Sequence, residues 1–398
     1  MEILGRRYDT GQRVRLECSG PRITRSTFLQ TGPSGPADDA EWPWIAPGLL
    51  DIQVNGYRGH EFASAALAPE KVIDVLRAFE PFGVTRICPT LTTESREVHE
   101  HAIRAIAAAC EASPQWARRL PGIHLEGPYI TPQDGARGAH PKIHCRRPDW
   151  DEFQRFQEVA GGRIRILTMS PEYDESPEFI RRVAATGVVV ALGHTSATAG
   201  QIHAAVDAGA RMSTHLGNGS HPTLHRFRNY LWPQLADDRL AASLIVDGHH
   251  LSPDMVKVFV RAKTPERCIL VSDVSGQAGQ APGRYSSPFC DVEILPSGAL
   301  VVAGQRELFA GASLPVSVGV ANVTRFAGVD LRTAVEMAVH HPARLLGIEP
   351  GGLEPGDPAD LVQFSLTSET GASKPVEFRT WCTVVDGDLA WGNPWRPN

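Results

Sequence analysis

VVVALGHTSATAGQIHAAVDAGARMSTHLGN, residues 188–218, holds one complete architectural unit. An aliphatic run ends in a polar turn, GHTS; a stretch of helical character follows; a second run ends in another polar turn, THLGN. Two short strands joined through a helix lie parallel in one sheet, because a tight turn cannot reverse direction twice.

Working outward, the unit recurs from residue 47. Candidate strands fall at 49–55, 85–91, 121–127, 164–171, 188–195, 212–218, 241–248 and 269–274. Between them lie helical spacings such as Val72, Val75, Leu76 and Phe79, and the alanine-rich HEHAIRAIAAACEA at 99–112. Eight such units in about 230 residues predict an α/β fold, a (β/α)8 TIM-like barrel, better than an open sheet. A further unit near 331–340, where Pro342 ends one helix and opens another, would close the barrel after its eighth strand.

The flanks lack helical period. Residues 1–46 and 350–398 carry short Val, Leu, Phe and Thr runs broken by Gly, Pro and Asp, with GGLEPGDPADLVQF (351–364) as the return. Neither is long enough for its own core, so together they predict a small β-sandwich domain built from both termini. The barrel domain is then 47–349, and 279–306 reads as an inserted hairpin turning at PSG.

Composition narrows the partners. A formal charge of -6 without a Lys/Arg block argues against nucleic acid. No apolar run approaches the roughly 20 residues of a membrane helix, and the first residues have no signal-peptide core, so a cytoplasmic location is expected. The seven cysteines never fall in a C-x-x-C pair, which implies neither a disulfide scaffold nor a cysteine zinc site.

Active sites of such barrels lie at the carboxyl ends of the strands. The third candidate ends GIHLEGP with Glu126, the fifth ALGHTS with His194, the sixth STHLGN with His215, the seventh IVDGHH with Asp247, His249 and His250, and the eighth LVSDVS with Asp273. An unpaired charge buried there would cost several kcal/mol. A divalent metal removes that cost: Glu126, His194 and His215 make a three-ligand site with a place left for water, the pattern of catalytic zinc, with iron, cobalt or manganese as alternatives. Each residue has a plainer reading as a core or turn-capping group, but capping gives no reason for all to fall at strand ends of one sheet. His140 and His249 are borderline, and His60, His101, His144, His203, His221, His225, His340 and His341 read as surface or turn residues.

The motifs PGLLDIQVNG, GIHLEGPYI, LGHTSA, THLGN, DGHH, VSDV and AGASL resemble, in this order, the N-acetylglucosamine-6-phosphate deacetylase family of the amidohydrolase superfamily. The resemblance spans 47 to about 365 and implies the same barrel and small β domain. It implies Glu126, His194 and His215 as metal ligands, Asp273 as the catalytic aspartate, and His250 and Asn218 as substrate contacts. Gly219 and His140 join those contacts as expectations. Gln53 and Asn55 stand where two-metal members carry His-x-His, which implies one metal. The family's Arg-Glu-Pro-Gly phosphate run, sometimes shared across a dimer, departs here to HRFRNYLW, with Arg226 and Arg228 as the residues to meet a phosphate.

Amide hydrolysis is the implied chemistry. The metal would lower the pKa of water toward about 7 and polarise the acyl oxygen, Asp273 would carry the proton to the departing amine, and His250 would donate to the carbonyl oxygen. The expected substrate is an N-acyl amino sugar and the expected assembly a homodimer. An aminoacylase or cyclic-amide hydrolase on the same barrel, or a non-catalytic scaffold, are the competing readings.

Overall fold

Eight parallel strands follow one another around an axis in chain order: β1 (Leu49–Val54), β2 (Val84–Leu91), β3 (Ile123–Glu126), β4 (Ile164–Met169), β5 (Val189–Leu192), β6 (Met212–Ser213), β7 (Ala241–Ile245) and β8 (Cys268–Val271). They come from a computed structural model that describes residues 1–29, 42–287, 290–368 and 376–397. Every residue of β1, β2 and β3 is buried, because helices cover a parallel sheet on its outer face while the barrel fills its inner one. This is why the strands read as unbroken apolar runs.

Closure differs at the two ends. At the carboxyl end the Asp273 amide donates to the Gln53 carbonyl at 3.0 Å and the Asn55 amide to Val274 at 2.9 Å, joining the first strand to the eighth. At the other end the amides of Leu50 and Leu270 donate instead to the carbonyls of Ala338 and Met337, each at 2.9 Å. The turn between helices Leu331–Glu336 and His340–Leu346 therefore wedges between β1 and β8, and Ala343 and Leu346 plug the interior beneath Leu50, Ile52, Ile166, Met212 and Ile269. With the floor sealed by apolar packing, the open end is left for polar groups.

Local chemistry explains the helix starts. In the opening stretch Thr198 accepts from the Gln201 amide and Gln201 answers with a bond to the Thr198 backbone, a capping box that begins helix Ala199–Ala208. Helix Val316–Ala327 escaped the periodic reading because it is buried on nearly every face and lacks a polar stripe.

The terminal segments form one seven-stranded sheet, from Asp388–Gly392 at one edge to Arg22–Phe28 at the other. Its strand Trp44–Pro47 leads into β1 through Gly48, where a side chain would overlap Thr85. Residues 30–41 and 369–375 of the terminal flanks, and 288–289 of the insertion, lie outside the described residues. The insertion turns at PSG, with the Gly298 amide on Leu295, but it is a four-stranded sheet whose last strand, Gln305–Phe309, runs on toward the barrel mouth. Among the described residues no helix is long and apolar enough to cross a membrane.

Candidate active site

The sheet ends where the chemistry starts. β3 stops at Glu126, β5 two residues before His194 and β6 two before His215, each shorter than its apolar run suggests. His194, His215 and Asp273 adopt left-handed φ of 47°, 30° and 54°. Such conformations cost about 1–3 kcal/mol each in non-glycine residues and persist where neighbours over-determine them. The His215 amide is held by Ser243 Oγ at 2.7 Å, and that of Asp273 by the β1 closure bond.

These strained tips converge. His215 Nε2 lies 2.9 Å and His194 Nε2 3.3 Å from Glu126 Oε1, and the two nitrogens are 3.1 Å apart. The edges of a tetrahedral zinc site with bonds near 2.0–2.1 Å measure about 3.3 Å, so the donor set fits such an ion in both chemistry and spacing. His194 Nδ1 lies 3.1 Å from the Ala136 carbonyl, which can only accept, so Nε2 presents a bare lone pair toward the other two atoms. A bare Nε2 lone pair and a carboxylate oxygen facing one point call for a cation between them.

His140 also lies close: one ligand atom each from Glu126, His140 and His194 falls within 4.8 Å. The bonding separates its role. His140 Nδ1 accepts from the Thr93 amide at 3.3 Å, which places the ring proton on Nε2 and makes His140 a donor rather than a ligand. Burial, then the neighbouring His194, hold that imidazole well below its ordinary value.

Electrostatics follow the same geometry. Burial pushes Glu126 up, but the bonds from His194 and His215 outweigh it and hold the carboxyl well below the usual range. Burial pushes His215 down, and the bond to Glu126 outweighs this and raises it. Asp273 is pushed up to about 6 by burial and by the charge of Glu126. A cation among Glu126, His194 and His215 would offset that second cause. Asp273 Oδ1 accepts from Asn55 Nδ2 at 2.8 Å and from Gln53 Nε2 at 3.1 Å, and the same Gln53 nitrogen reaches Glu126 Oε1 at 2.9 Å.

A cavity of about 230 Å³ opens over these groups, lined among others by Asn55, His140, Asn218, Gly219 and His250. Residues 44–389 match the model of the Amidohydrolase family. The chain belongs to the amidohydrolase family. This amidohydrolase is 34% identical over 358 residues to an N-acetylglucosamine-6-phosphate deacetylase of Bos taurus, covering 87% of this chain and 83% of that one. It is 33% identical to an N-acetylgalactosamine-6-phosphate deacetylase of Escherichia coli O157:H7, over 80% and 82%. The crystal structure of N-acetyl-D-glucosamine-6-phosphate deacetylase from Mycobacterium smegmatis superposes with a TM-score of 0.79 at 27% identity, covering 95% of each chain.

Other expected contacts are placed differently. Arg226 and Arg228 are exposed and do not line the cavity; the Arg226 guanidinium sits 5.8 Å from the Phe227 ring, and no Lys or Arg is among the described lining residues. Gly219 does line the cavity, but a methyl group there would lie 2.6 Å from His194 Nδ1, so its smallness also serves the imidazole. His221 fastens a turn through its amide on Tyr230 Oη.

Several contributors had no assigned role in the sequence reading. Asp247 Oδ2 accepts from His250 Nδ1 at 2.8 Å and leaves Nε2 to the cavity; its i, i+3 spacing in DGHH was the available signal. Glu61, from a short hairpin after β1, and Phe309, from the inserted sheet, line the cavity with no local signature at all.

Proposed function

We propose that this amidohydrolase removes the acetyl group from N-acetylglucosamine-6-phosphate, or a closely related N-acyl amino sugar, releasing the amine and acetate. The observation that carries the reading is the convergence of Glu126, His194 and His215 beside an aspartate, Asp273, whose Oδ1 is already engaged by two amides. The named activities of the relatives support the substrate class.

Glu126, His194 and His215 would hold one divalent ion, zinc first among the candidates. When bound, it supplies Lewis acidity toward water and the acyl carbonyl. Asp273 accepts the proton of the attacking water at Oδ2 and returns it to the amine nitrogen, without which the amine is too poor a leaving group. His140 presents its Nε2 proton to the acyl or sugar oxygens, and Asp247 holds the His250 ring with its Nε2 turned toward the cavity. Asn218, whose Nδ2 and amide both bond the His215 carbonyl, shapes the sugar side.

With no Lys or Arg among the described lining residues, the phosphate-specific form calls for a specific assembly. Phe227 and Trp232 are 78% and 53% exposed beside Arg226 and Arg228, and a homodimer through this segment would cover them and supply the arginines to a neighbouring site. The same lack of a cation supports a second reading, in which the sugar is unphosphorylated. The cytoplasmic location stays part of the proposal.

The deciding measurement is turnover of N-acetylglucosamine-6-phosphate against the unphosphorylated sugar, with metal analysis. A preference for the unphosphorylated sugar overturns the phosphate-specific form. Asp273→Asn should lose about 10²–10⁴-fold in kcat with its metal still bound; a near-normal rate sinks that assignment.

A further inference from the structure

Glu61 is a buried carboxylate that the reaction above does not use. It ends the hairpin pairing Gly56–Tyr57 with His60–Glu61, directly after β1, is 8% exposed, and lines the catalytic cavity. Burial pushes its carboxyl up to about 7, relieved by a hydrogen bond with the Gly276 backbone. No ion pair joins it to a Lys, Arg or His among the described residues.

Its surroundings are shaped around the carboxylate. Gly276 follows β8 by five residues, and a methyl group there would sit 2.3 Å from Glu61 Cδ and 2.7 Å from Oε1. That position admits glycine because the carboxylate occupies the space. Phe309 lines the same cavity, its ring centroid 4.3 Å from that of His250 and tilted by 32°.

A carboxylate without a cation, facing the cavity, needs O–H or N–H donors from whatever enters. A pyranose supplies both halves of the match: adjacent hydroxyls on its edge and C–H groups on its face. We propose that Glu61 is a specificity-determining residue that receives ring hydroxyls of the amino sugar, with Phe309 as the platform for the apolar face. This rests on the amino-sugar reading above. It assigns the wall after the first and eighth strands to the sugar ring, and leaves the phosphate end, where present, to the cationic segment after β6.

Two variants address the same carboxylate from opposite sides. Glu61→Gln keeps its size and removes its charge; Gly276→Ala keeps Glu61 and displaces it. Each should lose roughly tenfold to a hundredfold in kcat/KM on N-acetylglucosamine-6-phosphate, carried mainly by KM, with metal content and Tm near the unmodified protein. The loss in Glu61→Gln should shrink on the 3-deoxy or 4-deoxy analogue lacking the hydroxyl that Glu61 holds. Equal kcat/KM for Glu61→Gln and the unmodified enzyme on every sugar overturns the assignment, as does an equal loss on all analogues with a lowered Tm, which marks a merely structural strut. An unmodified enzyme inert on every N-acyl amino sugar refutes the underlying reading instead, and the assignment with it.

Discussion

Asn55 Nδ2 donates to Asp273 Oδ1 across 2.8 Å, at the seam where the first and eighth strands close the barrel. With Gln53 on the same oxygen, the carboxylate is pinned and its Oδ2 is left to carry a proton. Replacing Asn55 by Leu removes one donor at similar size. We expect kcat to fall about 10- to 100-fold with KM and bound metal little changed, by analogy with outer-sphere partners of metal sites. Steady-state kinetics with metal analysis reads this, and an unaltered kcat would show that Gln53 alone suffices.

Gly219→Ala meets two obstacles together, a left-handed φ of 54° and a Cβ 2.6 Å from His194 Nδ1. The ring must swing away from its bond to Ala136. Metal affinity, measured by chelator competition, should drop about 10- to 100-fold. Affinity at the unmodified level would mean that the loop after β6 yields instead.

Asp247 should matter at every working pH. Burial pushes its carboxyl up, but the bond to His250 outweighs this and draws it down to about 2. A depressed carboxylate stabilises above its unfolded pKa of about 3.9 and loses that contribution as pH falls through the folded value. The pair is therefore intact across the neutral range, and Asp247→Asn should lower kcat/KM by a factor flat between about pH 6 and 9. A deficit that vanishes at one end of that range would contradict the pairing.

His99 predicts an acid limit to stability. Its Nε2 donates to the Thr92 carbonyl at 2.8 Å, its Nδ1 has no partner, and burial lowers the ring from 6.5 to about 4. A depressed histidine contributes stability that is full above the unfolded pKa and is lost as pH falls through the folded one. The loss between about pH 7 and 4 should be on the order of 3 kcal/mol. Urea unfolding of the protein and of His99→Leu at both pH values separates this from other groups: the variant should show a shallower decline. Parallel declines would assign the effect elsewhere.

Much of the barrel was legible because its signals are local. A parallel strand is buried on both faces, so β1 to β8 stand out as apolar runs, and a polar residue just past each run marks the open end. Glu126, His194, His215 and Asp273 could be read in this way. Helix Val316–Ala327 could not, since a helix buried on nearly every face carries little polar stripe.

The amino-acid sequence alone determined the strand–helix repeat, the polar tips and the terminal β flanks, because period and capping depend on neighbours within a few residues. Only the tertiary structure decided that Met337 and Ala338 wedge the seam, and that Gln53 bridges two carboxylates 73 and 220 residues away. It alone set Glu61 against Gly276, and Arg226 outside the cavity of its own chain. Those relations depend on barrel closure, which brings the first strand beside the last, and no short-range pattern records which distant groups will then share one pocket.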